Sequence, residues 1–498
     1  MAYRSSKTWV AIAALLAVNL PSPSMAGEQA ERALAAVKQL IAAGEVRRDA
    51  ILKVAFKPGN INALLGPELE LQREWEQKTG VAVTARVIPQ QAALLNLKNN
   101  PDIDLTVART HEFPDLIEQG LVEDLAPMMT SLGFSLPAEP PQGFVRPRLQ
   151  GRLGDRIVAV PADGDVAIFY LRRDLMESPQ ERVAFRKAYG RELAIPKTWQ
   201  EYEQLTEFFH RPEKGLYGAT EERDPSGGWM LWMPRYLQQA SPFRRLFDDA
   251  MRPLIDSPAG IAATESYVRA VRYSPPDILG EGKDYSYTLS LFLQGKAFST
   301  VNTIAGAKLF NAAGSAVRGK FMAIPIPGTR VKGRLLGHNI PIYGNNLVVS
   351  SQSAQRKLAL LFVLWLTDPD NSLRTVGVKG GHTDPYRWHH LTDRRIGELY
   401  TPEALKVFSG EWAKALPPGT GVPGDGEYLD ALDRHLWLAA KGTISAAEAM
   451  RRTAAEWERI TERFGREKQT LAQRTFLRGF QGGETDNVQL TSNASAAK

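Results

Sequence analysis

From Ile51 to Val107 the chain alternates between stretches suited to a strand and stretches suited to a helix, and this constrains its fold more than any other feature. Residues 51–56 are a mostly apolar run. Residues 64–78 place Leu65, Leu69 and Trp75 on a helix, and Gly80 stops it. Val81, Val83, Ala85 and Val87 recur at every second position, the pattern of a half-buried strand. Residues 90–97 suit a short helix and residues 104–107 the next strand. Strands separated by helices predict a parallel sheet with crossover helices. Such sheets bind ligands beyond the carboxyl ends of their strands. Here those ends open into loops 57–62 and 108–111, which puts forward Asn60, Thr110 and His111 as ligand contacts.

The 498 residues predict two to four folded units, at about 100–200 residues each. The first 26 residues stand apart. Arg4 and Lys7 make a basic start, residues 9–20 are almost unbroken apolar, and Pro21 and Pro23 end the run. Ser24-Met25-Ala26 then offers the small residues that a signal peptidase reads. The apolar run is too short to cross about 30 Å of hydrocarbon as a helix. Residues 1–26 therefore read as a cleavable secretory signal rather than an anchor. The whole chain carries +6, and without the two basic residues of 1–26 it carries +4, too mild for a nucleic-acid partner; no basic stripe with interleaved aromatics accompanies it. The chain has no cysteine, which excludes disulfides, thiolate metal sites, a cysteine nucleophile and lipid attachment through an N-terminal Cys.

Residues 28–43 form an amphipathic helix with Leu34, Val37, Leu40 and Ile41 on one face, an extension expected to pack on the main body. Residues 158–172 are an apolar strand interrupted by Pro161-Ala162-Asp163-Gly164-Asp165. Two acids and a glycine in a buried run are costly without a reason. Pro196-Lys197-Thr198-Trp199 opens a helix, with Thr198 as N-cap and Glu201 completing a capping box. Further strands are expected at 297–303, 321–327 and 347–350. Residues 358–366 are apolar on every side and predict a buried helix. Helices fill 402–465, and the polar residues 482–498 read as a disordered tail.

Two nucleotide-like motifs fail on context. Gly419-Thr420-Gly421-Val422-Pro423-Gly424 has the dinucleotide spacing but follows Pro417-Pro418 and a helix, not a strand, and Pro423 spoils the helix start. Residues 314–320 have the phosphate-loop spacing, but Phe321 stands where a hydroxyl would hold magnesium. His389 and His390 are adjacent and cannot share a helix face as ligands. No metal and no cofactor is expected. Asp163 and Asp165 could form an acid/base pair for glycoside hydrolysis. Two residues apart on one strand they point the same way, whereas hydrolase carboxylates flank the scissile bond. A polar hinge or a sugar hydrogen-bonding site is the better reading. Trp229, Tyr343 and Tyr428 differ from the other aromatics in their polar or glycine-rich neighbours. Flat sugar faces stack on such rings, while Asp, Asn and Arg take the hydroxyls.

Other marks follow in order. They are Asp104-Leu105-Thr106-Val107, Gly120-Leu121-Val122-Glu123-Asp124-Leu125, and Val160-Pro161 through Phe169-Tyr170 to Arg173-Asp174-Leu175. Then come the Pro196 helix start with Glu201-Tyr202, Leu216-Tyr217-Gly218, Gly295-Lys296-Ala297, the Pro325-to-Gly328 turn, and the strand at 344–350 with its buried helix. In number and order these resemble family 1 extracellular solute-binding proteins, the sugar receptors of ABC importers of the maltose-binding type, over residues 51–470.

The resemblance implies an α/β chain with the two-lobed periplasmic binding protein type II fold, hinge strands and an interlobe ligand cleft. It implies a signal peptide at 1–26, a helical extension at 27–50, one lobe from 51–163 and 327–370, the other from 164–326 and 371–480, and a tail at 481–498. Crossings are expected near 161–166, 323–327 and 368–372, with Gly164 supplying backbone freedom at the first. Asp165 falls near the acidic hinge residue that binds sugar in relatives, with Asp163 as the fallback. Asn302 and Thr303 stand where relatives place a ligand-facing residue, often Trp. Gly381 and Arg387 match a Gly-Gly-to-Arg segment, and Tyr428 a common stacking position. Asn345, Asn346 and Arg387 favour a small polyhydroxylated ligand.

The implied function is non-enzymatic. A monomeric receptor, free in a Gram-negative periplasm, closes on a sugar, oligosaccharide or polyol and delivers it to inner-membrane ABC permease subunits. Two other readings stay open. One is an exported carbohydrate-cleaving enzyme, which needs carboxylates on opposed cleft walls. The other is a ligand receptor that reports to a membrane sensor.

Overall fold

The computed structural model describes residues 27–88, 92–225 and 227–481. The expected signal peptide and the expected tail beyond Gln481 lie outside them. Two sheets organise the molecule. The first has the order Ala82–Val87, Ile51–Phe56, Leu105–Ala108, Asn346–Val349, Val160–Pro161. The second has the order Phe321–Ile324, Ile168–Arg172, Ala297–Asn302, Tyr217–Thr220.

Both sheets are mixed rather than purely parallel. Ile51–Phe56 runs parallel to its two neighbours, as the β/α alternation requires. Asn346–Val349 is antiparallel to Leu105–Ala108 and to Val160–Pro161. In the second sheet Ile168–Arg172 is antiparallel to both of its neighbours, and Tyr217–Thr220 is parallel to Ala297–Asn302. The reversed strands are those that arrive from the other lobe, so no crossover helix sets their direction.

The interrupted strand is the first crossing. Val160–Pro161 belongs to the first sheet and Ile168–Arg172 to the second, so Asp163, Gly164 and Asp165 lie between the lobes and not on one strand. Gly164 is there for space rather than for backbone freedom. A Cβ on it would stand 1.8 Å from the Pro385 carbonyl oxygen. The second crossing comes later than 323–327. Phe321–Ile324 pairs within the second sheet, and Ile326, Ile340 and Ile342 pack in the second lobe's core. The chain reaches the first sheet only at Asn346, so residues 343–345 make the crossing. The third crossing also shifts. Helix Pro369–Val376 still belongs to the first lobe, where Arg374 pairs with Glu74, and the chain passes over in residues 377–384.

The expected helix at 64–78 is two helices, Pro58–Leu65 and Glu70–Thr79. Gly66 and Pro67 separate them, since Gly66 has φ +89° and proline cannot donate to a helix already under way. The first of these helices begins inside the expected loop 57–62. Helix Glu28–Ala42 lies on helix Arg356–Leu366. Leu34, Val37 and Leu40 are buried there, Gln29 Nε2 donates to the Leu364 carbonyl, and Ala30 N donates to Asp368 at 2.9 Å. With that cover every residue from 358 to 366 is buried, which explains a helix apolar on all sides. Among the described residues no helix is long and apolar enough to cross a membrane.

Candidate functional site

The ends of the strands and the three crossings converge on one cleft. On the first lobe Lys57 follows Ile51–Phe56 and Arg109 follows Leu105–Ala108. On the second, Glu222 follows Tyr217–Thr220 and Thr303 follows Ala297–Asn302. Tyr343 stands on the second crossing with φ 59°, in the left-handed region.

Tyr343 links the two lobes. Its hydroxyl donates to Glu222, the Arg109 guanidinium lies 5.1 Å from its ring centre, and Tyr285 meets it edge-on at 5.4 Å. His111 meets the Trp229 ring at 5.2 Å across the same boundary. Burial, reinforced by Arg109, holds the His111 imidazole down to about 3, so it is neutral at ordinary pH. Burial, and then the charge of Asp224, pushes Glu222 up to about 8.

Three carboxylates meet where the first and third crossings touch. Asp163, Asp165 and Asp384 each place an oxygen within 4.8 Å of the others. Asp163 accepts from Asp384 N at 2.8 Å and from Asn345 Nδ2 at 2.7 Å. Asp384 accepts from Thr303 Oγ1, Ala305 N and the Tyr400 hydroxyl, each at 2.9 Å. Lys308 lies nearby, donating to the carbonyls of Val376, Val378 and Thr383. Both oxygens of Asp163 and Asp384 already accept from N–H or O–H donors. The cluster therefore suits shared protons better than a cation. Burial, and then the Asp384 charge, pushes Asp163 up to about 8; burial, and then the charges of Asp163 and Asp384, pushes Asp165 well above its ordinary value.

Several buried polar atoms here lack a hydrogen-bond partner. They are Asp165 Oδ1, both side-chain polar atoms of Asn302, Asn346 Oδ1 and Arg109 Nε. Buried polar groups are normally satisfied, so a cluster of orphans at a lobe boundary marks where a polar ligand would bind.

The expected ligand residues divide. His111, Asp163, Asp165, Trp229, Asn302, Tyr343 and Asn345 come together around the cleft and its crossings. Asn60 stands half-buried in the first turn of helix Pro58–Leu65. Thr110 accepts from Asn346 Nδ2 at 3.4 Å. Gly381 folds back on Val378 within the third crossing, beside His382. Two expectations are corrected. Arg387 is buried away from the cleft, donating to the carbonyls of Thr367 and Gln142, with its guanidinium 3.7 Å from the Phe144 ring centre. Tyr428 faces the second lobe's core from helix Asp425–Ala440, against Phe247 and Trp457, with its hydroxyl 2.7 Å from Thr461 Oγ1. Sequence reasoning passed over Lys57, Arg109, Glu222, Tyr285 and Asp384. The signal for the first two is their place directly after a strand.

Residues 70–382 match the family described as bacterial extracellular solute-binding proteins, more than half of the chain. The chain belongs to that family. Solved structures agree on the fold. A ribitol-bound ABC transporter solute-binding protein from Agrobacterium radiobacter K84 superposes with a TM-score of 0.67 at 20% identity, over 82% of this chain and 98% of that one. Maltose-bound MalE3 from T. maritima gives 0.66 at 18% identity, over 82% and 100%. A D-mannitol-bound counterpart from Agrobacterium vitis S4 gives 0.65 at 17%, over 84% and 99%. No curated protein matches the chain in sequence.

The cleft of this solute-binding protein should leave a mark on its pH dependence. Folded, Glu222 keeps its proton to about pH 8; unfolded, it loses it near its ordinary 4.5. The folded state therefore holds an extra proton in between, and stability drops as pH rises through that interval. Asp163, pushed to about 8, acts in the same direction. Histidines held neutral by burial, such as His111 and His390, oppose this only below their ordinary 6.5. The melting temperature should fall from pH 6.5 to pH 8, and less steeply in Glu222→Gln. An identical slope in that variant would remove Glu222 from the explanation.

Proposed function

We propose that this chain is the solute-capturing component of an ABC importer, taking a sugar, oligosaccharide or polyol into the cleft and delivering it to membrane permease subunits. The observation that carries this reading is the set of unpartnered buried polar atoms contributed by both lobes and by the crossing: Arg109, Asn302 and Asp165. A hydroxyl-rich molecule offers donors and acceptors in that density. The ribitol, maltose and D-mannitol in the structural relatives point to the same class of solute. The reading is non-enzymatic: Asp163, Asp165 and Asp384 cluster where two crossings touch rather than on opposed walls. The charged start and apolar run of residues 1–26 support export to a periplasm, where the protein would act as a monomer.

Capture would work by closure. A ligand shifts the lobes toward the closed form only by what it gains there. One contact between the lobes would support the closed form. Asp115 of the first lobe accepts from Gly424 N, and from Gly426 N at 3.0 Å, at the start of helix Asp425–Ala440 in the second. A carboxylate at that helix terminus is favourable.

A thermal-shift screen of sugars, oligosaccharides and polyols tests the reading, because a saturating ligand raises the melting temperature by mass action. At least one compound should do so, and none doing so would reject the carbohydrate class. Asp115→Ala should weaken the identified compound about tenfold by calorimetry, the size of a lost charge-assisted cap. Unchanged affinity would mean that Asp115 does not bias closure.

A further inference from the structure

The first-lobe wall of the cleft carries two cations without ion pairs. Among the described residues no carboxylate lies within 4.0 Å of the Lys57 ammonium or the Arg109 guanidinium, and neither side chain donates a hydrogen bond to another described residue. Four acids act on them from further away: Asp163 and Asp165, whose carboxyls burial pushes up toward the protonated form, and Glu112 and Glu222, which are already engaged. Glu112 accepts from Arg109 N at 2.7 Å and Ala93 N at 2.9 Å, and Glu222 accepts from Tyr343. Arg109 Nε is buried without a partner.

The two cations are neighbours by construction. Their strands pair in parallel, Val54 opposite Leu105 and Ala55 opposite Thr106, so both chains leave the sheet at the same edge. Lys57 is also the N-cap of helix Pro58–Leu65, and no side chain caps that helix. Its first amides, at Gly59 and Asn60, therefore open at the same end of the sheet that Lys57 and Arg109 follow. Uncapped helix amides beside cations form an anion cradle. Burial, and then the Arg109 charge, brings the Lys57 ammonium down to about 8, so it is still charged at neutral pH.

We propose that the solute is an acidic carbohydrate or polyol, whose carboxylate or phosphate sits between Lys57, Arg109 and the amides of Gly59 and Asn60. This rests on the reading of the cleft as the solute site and narrows it. Its hydroxyls would meet the unpartnered atoms of Asp165 and Asn302 on the opposite side. Closing on a neutral sugar would draw two like charges further from water with no ion-pair partner, which is costly. Closing on an anion supplies the missing partner. A bidentate bond from the guanidinium to a carboxylate or phosphate is among the stronger polar contacts available.

The test is calorimetric titration of the full chain with matched series: glucose, glucuronate and glucose 6-phosphate; mannitol, mannonate and mannitol 1-phosphate; glycerol, glycerate and glycerol 3-phosphate. In the series that binds, an anionic member should exceed its neutral parent by about 100-fold, as buried charge pairs at interfaces do. The carboxylate and phosphate arms separate the two sources of the anion. Lys57→Met and Arg109→Met should each weaken the anion far more than the neutral parent, removing most of that preference. A cooperative melting transition in each ligand-free variant shows that the variants fold. A neutral parent binding as tightly as its anions overturns the proposal and leaves the carbohydrate reading standing. Anion binding insensitive to both substitutions overturns it as well. Silence in every series rejects the carbohydrate reading, and this proposal with it.

Discussion

Gly164→Ala should cost the protein about 3–5 kcal/mol of stability, or prevent folding outright, the range of severe overpacking against backbone. The new methyl carbon would stand 1.8 Å from the Pro385 carbonyl oxygen and 2.6 Å from its carbon. Neither atom can move alone. Gly164 N donates to the Asp384 carbonyl at 3.3 Å, and Trp412 Nε1 donates to the Gly164 carbonyl at 2.8 Å. The first and third crossings are thus packed backbone against backbone, and a side chain between them separates Asp163 and Asp165 from Asp384. Gly314→Ala is the control, since nothing lies within 4 Å of its added carbon. Chemical denaturation of the two variants makes the comparison. A Gly164→Ala protein as stable as the Gly314→Ala protein would show that the crossings are not in contact as described.

Glu221→Ala should be comparably damaging, at about 3–5 kcal/mol, the usual result of removing one partner from a buried charge network. Glu221 accepts from Arg223 Nη2 at 2.9 Å and from Arg235 Nη2 at 3.0 Å, and all three side chains are 1% exposed. Arg223 lies over the Tyr267 ring and Arg235 over Trp199, at 4.1 and 3.9 Å. Removing the only carboxylate in the group leaves two guanidiniums buried against aromatics. Charge attraction outweighs burial at Glu221, holding it below its ordinary value, which fits a carboxylate that stays ionised between two cations. The effect should reach the cleft too. Glu221 turns inward to the arginines while its neighbour Glu222 turns out to Tyr343, so the network sets where Glu222 stands. Denaturation gives the stability, and calorimetry on the remaining folded protein gives the affinity. A loss under about 1 kcal/mol would mean that water reaches the arginines once the carboxylate is gone.

The architecture was largely legible because it rests on local patterns. Period-two and apolar runs marked the strands, and Thr198 with Glu201 marked a helix start that the structure reproduces as a capping box. The interrupted run at 158–172 showed a crossing because acids within a buried strand need an explanation. Elsewhere the same reasoning misplaced residues for identifiable reasons. Tyr428 has polar neighbours in sequence, but on a helix adjacent residues point in different directions, and its own direction is inward. Arg387 follows a glycine-rich stretch yet is satisfied by backbone carbonyls, which no sequence motif encodes. Asp384 was invisible because its role depends on Asp163, 221 positions away. Lys57 and Arg109 were missed by the narrowest margin. The loops holding them were identified, but the residues nearest the strand ends were passed over for Asn60, Thr110 and His111.

A clamp that closes on its solute must shorten a distance between its lobes, and the absence of cysteine makes that distance measurable with two introduced thiols. Lys98→Cys on helix Ala93–Asn99 and Lys187→Cys on helix Pro179–Tyr189 place one exposed spin label on each lobe. Pulsed dipolar spectroscopy then reports the lobe separation with and without the compound identified by thermal shift. The expected result is a longer, broader distribution in its absence and a shorter, narrower one at saturation. An unchanged distribution, with binding shown by calorimetry in the same sample, would contradict capture by closure.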